Sequence, residues 1–320
     1  MRACLFIFCL MASAHFPLSA ADVLARHDTA AKKVTVQIGG EVFTEYVYNT
    51  YAKPVLYPVI GPGAVPMTRD WPMKDASPGE DKDHPHQKSI WFTHGAVNGV
   101  DFWAEGPKSG KIVTDEITQV TTDQAVAVID AKNQWKAPDG KTVCSDTTTI
   151  RCGEDRGARF IDYIIRITAT HGDVTFGDTK EGTMGIRTRP ELQLNPEKNR
   201  RAAGQAVNSE GNAGKAIWAE KARWIHYWAP VSGKTLGVAV FDHPSNLRHP
   251  TTWHARDYGL IAANPFGLHD FSRERLPKEA GNFTIKAGET QTWRYRFLFQ
   301  EGESDAAKID ERWKKWAKSE

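Results

Sequence analysis

The chain has 320 residues, 40% of them hydrophobic and 25% charged, with a formal net charge of +2. That balance belongs to a folded globular protein large enough for one big domain or two ordinary ones, and it excludes a disordered chain. Near-neutral charge without a basic tract removes the electrostatic basis for binding nucleic acid.

At the N-terminus, Arg2, the apolar run Ala3 to Ala14 and the small residues of Leu18-Ser-Ala-Ala21 read as a secretory signal over residues 1–21. The run is too short to span a bilayer, and no later segment is long and apolar enough. The expectation is a secreted or periplasmic protein with no membrane span, its residues 22–320 forming a single domain.

Alternation with period two then dominates. Val34 to Tyr48 reads as a hairpin turning on Gly39-Gly40. Further strands are expected over Lys53 to Ile60, Ser89 to Thr93, Lys111 to Thr121, Ala125 to Trp135, Thr142 to Cys152 and Arg159 to Thr168. More follow over Thr183 to Thr188, Ala216 to Trp218, Trp224 to Trp228, Thr235 to Phe241, Asn282 to Lys286 and Gln291 to Gln300. Cys144 and Cys152 share one face of a single strand at a separation no disulfide spans, so they read as two buried thiols. The polar stretch Leu194 to Lys215 reads as a long loop. Helical periodicity appears only at the end, where Ala306, Ile309, Trp313 and Trp316 share a face behind Ser304 as N-cap. The predicted fold is all-β: a large antiparallel β-sandwich with a short C-terminal helix.

Three polar clusters interrupt the strands. The first runs from Asp83-His84-Pro85-His86-Gln87 through Trp91, His94, Asn98 and Asp101 to Trp103. Pro85 disfavours a helix, and residues two apart in an extended segment project to the same side, so His84 and His86 can share a ligand. The second is Asp178-Thr179-Lys180-Glu181-Gly182, where a carboxylate beside an ammonium is one way to tune a general acid or base. The third holds His243, Arg248, His249, Trp253, His254, Arg256, Asp257 and Asn264. Guanidinium groups beside imidazoles suit carboxylates, oxyanions and sugar hydroxyls. The eleven tryptophans supply flat faces that stack on sugar rings. No dinucleotide fingerprint, P-loop, zincin motif or nucleophile elbow is present.

These segments resemble a known group. Leu56-Tyr-Pro, Asp83-His-Pro-His, Trp91-Phe-Thr-His-Gly, Val97-Asn-Gly-Val-Asp-Phe-Trp, Asp178-Thr-Lys-Glu-Gly, Asp242-His-Pro-Ser-Asn and Trp253-His-Ala-Arg-Asp-Tyr-Gly-Leu look like the bacterial family labelled "methane oxygenase PmoA-like". The resemblance runs from Lys53 to Gly302. It departs at Gln87, where the family usually has a further histidine. It implies an often secreted domain of unknown function in bacterial carbohydrate use. The methane monooxygenase subunit behind the label is a multi-spanning membrane protein, so methane oxidation is not implied here. The closing Phe283-to-Tyr295 segment looks like the final hairpin of galactose-mutarotase-like supersandwiches, in which His and Glu act as acid and base on a concave sheet.

The sequence thus points to a protein acting on a small-molecule or oligosaccharide ligand by acid–base chemistry of epimerase, lyase or hydrolase type. His86 or His254 would be the base and Glu181 the acid. Lys180, Arg248 and Arg256 would hold oxygens, and Trp91, Trp103 and Trp253 would form a stacking wall. His84, His94, Asn98, Asp101, Asp178, His243, Asp257 and Asn264 complete the expected ligand contacts. No cofactor is required. The alternatives are a non-catalytic carbohydrate-binding protein and a divalent-metal enzyme built on His84 and His86.

Overall fold

The computed structural model describes residues 22–123 and 125–319; the secretory signal read over residues 1–21 lies outside them. In chain order the strands begin β1 (Val23–Asp28), β2 (Lys33–Ile38), β3 (Glu41–Val47), β4 (Val55–Val59), β5 (Ile90–His94) and β6 (Lys111–Asp123). They continue β7 (Val126–Lys136), β8 (Thr142–Asp155), β9 (Ala158–Thr168), β10 (Val174–Phe176), β11 (Gly182–Arg187) and β12 (Gln205–Asn208). The last are β13 (Trp224–Val231), β14 (Lys234–Asp242), β15 (Trp253–Ala255), β16 (Leu260–Ala263), β17 (Phe283–Ile285) and β18 (Thr290–Glu301). Two helices, α1 (Leu268–Phe271) and α2 (Ala306–Trp316), complete the set.

Two eight-stranded antiparallel sheets form the sandwich. The first has the order β1-β2-β3-β4-β5-β11-β16-β15, and the second β12-β13-β14-β18-β9-β8-β7-β6. Each strand buries alternate side chains between the sheets, as the period-two pattern requires. Phe92 of β5, Trp135 of β7 and Trp293 of β18 meet in this core, with Phe92 6.3 Å from Trp135 and 6.0 Å from Trp293. The β2–β3 hairpin turns on Gly39 and Gly40, both at positive φ of 62° and 81°, which only glycine adopts without strain. Cys144 and Cys152 are buried free thiols on β8.

Several expectations change. Ala216 to Trp218 is not a strand, because its apolar residues sit in a 3-10 turn over Gly214–Ile217. The stretch Leu194 to Lys215 is not one loop, since β12 pairs with β13 inside it. At the last helix, Asp305 rather than Ser304 is the cap: its carboxylate accepts the Ala307 and Lys308 amides, while Ser304 bonds His226. Ile309, Trp313 and Trp316 of α2 bury against Trp224, Phe241 and Leu298 on the outside of the second sheet; Ala306 stays exposed.

Candidate functional site

The outer face of the first sheet carries the polar groups. Residues directly opposite across antiparallel strands point to the same side. The pairs Trp91–Gly185, Gly185–Ala262 and Ala262–His254 therefore set one row across β5, β11, β16 and β15. Thr93–Thr183 forms the next row, and Arg187 lies two residues beyond Gly185 on the same face. Gly185 lets the Trp91 indole lie against the sheet: a Cβ there would sit 2.8 Å from Trp91 Cζ2. Gly185→Ala is expected to cost about 1–3 kcal/mol by overpacking, read by urea unfolding; unchanged stability would show that the indole moves freely.

The loop before β5 folds onto this face. His84 stacks on Tyr258 with ring centres 5.1 Å apart, and His86 stands 5.7 Å from His84 and 6.2 Å from Trp103. Buried cations hold the loop. Arg69 and Arg187 share the Asp83 carboxylate, and Arg187 also donates to the Gln87 side-chain oxygen at 2.6 Å. Lys53, only 1% exposed, donates to the His86 carbonyl at 2.7 Å and to Glu105 at 2.8 Å. Glu105 also takes Lys88.

Opposite this loop, His254 bonds the Lys180 carbonyl through Nδ1 at 2.8 Å. A carbonyl only accepts, so Nδ1 carries the proton and Nε2 presents its lone pair. Arg256 Nη1 lies 3.5 Å from that nitrogen, and its guanidinium sits 5.4 Å from the Tyr258 ring centre. Burial pushes the His254 pKa down to about 4, assisted by the charges of Arg256 and Lys180. His86 is likewise held at about 4, by burial and then by Lys53 and His84. Glu181 is raised above the usual carboxylate range by burial, which outweighs the opposing charges of Lys180 and His84; Asp101 and Asp270 add to the rise. His86 and His254 thus stand at the two ends of one chain of contacts, His86–His84–Tyr258–Arg256–His254, and Glu181 is tied to it only through the charge of His84.

A cleft of about 370 Å³ opens next to His254, lined by Lys180, Trp218, Arg256, Asp270, Arg273 and Glu274. A larger one of about 940 Å³ lies at the end of the sandwich, lined by Tyr51, Glu105 and Lys136 among others. It meets the polar face through Glu105 and contains no histidine. Beneath the loop, the Trp91 and Trp103 indole nitrogens and the Thr93 and Thr183 hydroxyls are buried without a hydrogen-bond partner among the described residues. Four such groups on one face leave a hydrogen-bonding demand that water or a ligand would meet.

Residues 33–314 match a family described as "Family of unknown function (DUF6807)". The chain belongs to this family. No curated protein matches this DUF6807 chain by sequence. Among solved structures it is similar to the galactosidase domain of the alpha-galactosidase-sucrose kinase AgaSK, at 10% identity and a TM-score of 0.41, over 87% of this chain and 42% of that one. The DUF6807 chain therefore spans less than half of that protein. It is also similar to the Slr1438 protein from Synechocystis sp. PCC 6803, at 11% identity and a TM-score of 0.39, over 92% of this chain and 100% of that one. A third likeness is to galactose 1-epimerase from Lactobacillus acidophilus NCFM, at 7% identity and a TM-score of 0.38, over 89% of this chain and 100% of that one. These likenesses are remote, and no assignment rests on them.

In the DUF6807 chain the remaining predicted contacts separate into two groups. His84, Lys180, Arg256 and Asp101 stand at the site; Asp101 reaches Glu181 through its charge and accepts the Trp103 and Ala104 amides. The others serve the scaffold. His94 points into the core, because it lies three residues after Trp91 on a strand; its ring meets Phe266 at 4.7 Å and its Nε2 donates to the Gly177 carbonyl. Trp253, one residue before His254, also faces inward and donates to the Ala222 carbonyl. The stacking wall is corrected accordingly: Trp91 and Trp103 are buried against each other with centres 5.2 Å apart, and the aromatic ring in the cleft lining is Trp218.

Asn98 ties the 97–100 turn to Asp173 and Thr175. Asp178 accepts the His269 and Gly281 amides, and Asn264 bonds Thr179, Phe266 and Gly267. Arg248 saturates the carbonyls of Pro265, Gly281 and Asn282. Asp257 pairs with Asn195 and Lys215, and His243 packs on Trp316 beneath the other sheet. His84 and His86 find no third ligand, since no group of three or more His, Cys, Asp or Glu among the described residues is placed to hold a metal ion.

Proposed function

We propose that this protein is an exported carbohydrate-active enzyme that moves protons with Glu181 as acid and His254 as base. The observation that carries the reading is the His254 bond to the carbonyl of Lys180. It fixes the tautomer, directs a basic nitrogen along the polar face, and anchors the ring to the peptide that precedes Glu181. A neutral imidazole and a carboxyl raised by burial form the pairing that proton transfer on a saccharide needs. Trp218 supplies a ring, and Lys180 and Arg256 supply donors, as a polyhydroxyl ligand requires. Export rests on the residue 1–21 pattern.

The pairing sets a pH dependence. His254 works only when neutral, above about 4, and Glu181 only when protonated, below its raised value. The expected kcat/KM profile is a bell with an optimum on the acid side of neutrality. The test is product formation by NMR across pH with a panel of mono- and oligosaccharides. An acidic bell supports the reading. Saturable binding without product removes the acid and base roles and leaves a carbohydrate-binding protein, and absence of binding overturns the carbohydrate assignment.

A further inference from the structure

The cations on this face differ in how well they are satisfied. Arg69 donates to Asp83 and to the carbonyls of Asp81, Asp83, His84 and Gln87. Arg187 is taken by Asp83 and Gln87, and Lys53 and Lys88 by Glu105 and backbone carbonyls. Those four hold the loop, and the Arg69 and Arg187 Nε–H groups that find no acceptor among the described residues are buried. Arg256 is different. Among the described residues its guanidinium meets no carboxylate, and its one polar neighbour is His254 Nε2 at 3.5 Å, too long for a strong bond. Its charge stands near the Tyr258 ring and lines the 370 Å³ cleft.

The rest of that cleft has the same bias. Lys180, Arg256 and Arg273 face two carboxylates, Asp270 and Glu274, and Asp270 is engaged by the Lys180 amide at 2.9 Å and its ammonium at 4.0 Å. The Trp218 indole N–H at its wall is buried with no acceptor. The cleft therefore offers donors in excess. A planar guanidinium with a free fork matches a carboxylate in two-point geometry, which a hydroxyl cannot reproduce.

Resting on the carbohydrate reading above, we propose that the ligand is an acidic saccharide whose hexuronate carboxylate is received by Arg256 beside His254. Sugar hydroxyls then face Trp218 and Lys180, and the carboxylate brings the carbon next to it toward the imidazole. Neutral sugars of the same shape leave the guanidinium without its partner.

The test is calorimetric titration of trigalacturonate and of its carboxyl-reduced, neutral counterpart into wild type, Arg256→Gln and Arg256→Lys. Wild type is expected to bind the acidic trimer about ten- to hundred-fold more tightly than the neutral one, the range of a charge-assisted bidentate contact. Arg256→Gln should lose that preference, its affinity for the acidic trimer falling by more than its affinity for the neutral one, and Arg256→Lys should retain part of it. Equal affinities for the two trimers in wild type, or equal losses for both in Arg256→Gln, would overturn the acidic-ligand proposal alone. Binding of neither trimer by wild type would overturn the proposal together with the carbohydrate reading beneath it.

Discussion

Glu181→Gln is expected to lower kcat by about 10²–10⁴-fold, the usual contribution of a positioned general acid, while leaving the thermal midpoint unchanged. The carboxyl accepts no hydrogen bond among the described residues, and the ties of this segment run through its backbone: the Glu181 carbonyl accepts the Gly95 amide at 2.7 Å and its own amide donates to Thr179. An amide of the same shape therefore removes the transferable proton without loosening β11. Turnover at the wild-type rate in Glu181→Gln would remove Glu181 from the chemistry, and a large drop in melting temperature would assign it to the scaffold instead.

Asp83→Ala is expected to destabilise the fold by about 3–5 kcal/mol, the cost of stranding buried charge. Its carboxylate is shared by Arg69 and Arg187, whose side chains are 2% and 0% exposed. Removing one anion leaves two guanidiniums in the interior with like charge and only neutral acceptors. Urea unfolding measures the loss, and a change within error would mean that the carbonyls alone suffice. The same carboxylate has a pH signature. Partial burial raises its pKa, but the hydrogen bond from His84 and the charges of Arg187 and Arg69 outweigh this and hold it well below the usual range. A depressed folded value stabilises the protein fully above the unfolded carboxylate value of about 3.9 and loses that stabilisation as pH falls below it. Wild-type stability should thus decline below about pH 4, and the Asp83→Ala curve should be flatter there.

The sandwich was legible because its long strands alternate. β7, β8 and β18 bury every second residue over most of their length and β9 over its second half, and the pattern locates them to within three residues at each end. β15 and β16 were missed because they are short and buried on both faces: Leu260-Ile261-Ala262-Ala263 has no polar side to betray a period. At the site, the histidine windows did mark His84, His86 and His254. Alternation could have refined them, since Trp91 and His94, or Trp253 and His254, cannot share a face of one strand. Lys53 and Glu105 were not readable, because their burial arises from a loop returning over the sheet from fifty residues away. Arg187 shares parity with Gly185 and Thr183, a signal that becomes useful only once the outer face is known to be polar.

The row from Trp91 through Gly185 and Ala262 to His254 draws on residues more than 160 positions apart. No neighbouring pair in it is joined by a tight hairpin except the last. Contacts of such sequence separation are slow to form, because chain entropy must be lost before the contact repays it. The polar face is therefore a late product of folding, finished only after the middle and final thirds of the chain have both arrived. A fragment or a stalled chain ending before Trp253 holds the loop histidines without His254, Arg256 or Tyr258 opposite them. Ligand binding at this face accordingly reports on the maturity of the whole polypeptide, and partial folding is expected to yield an inert surface rather than a weakened site.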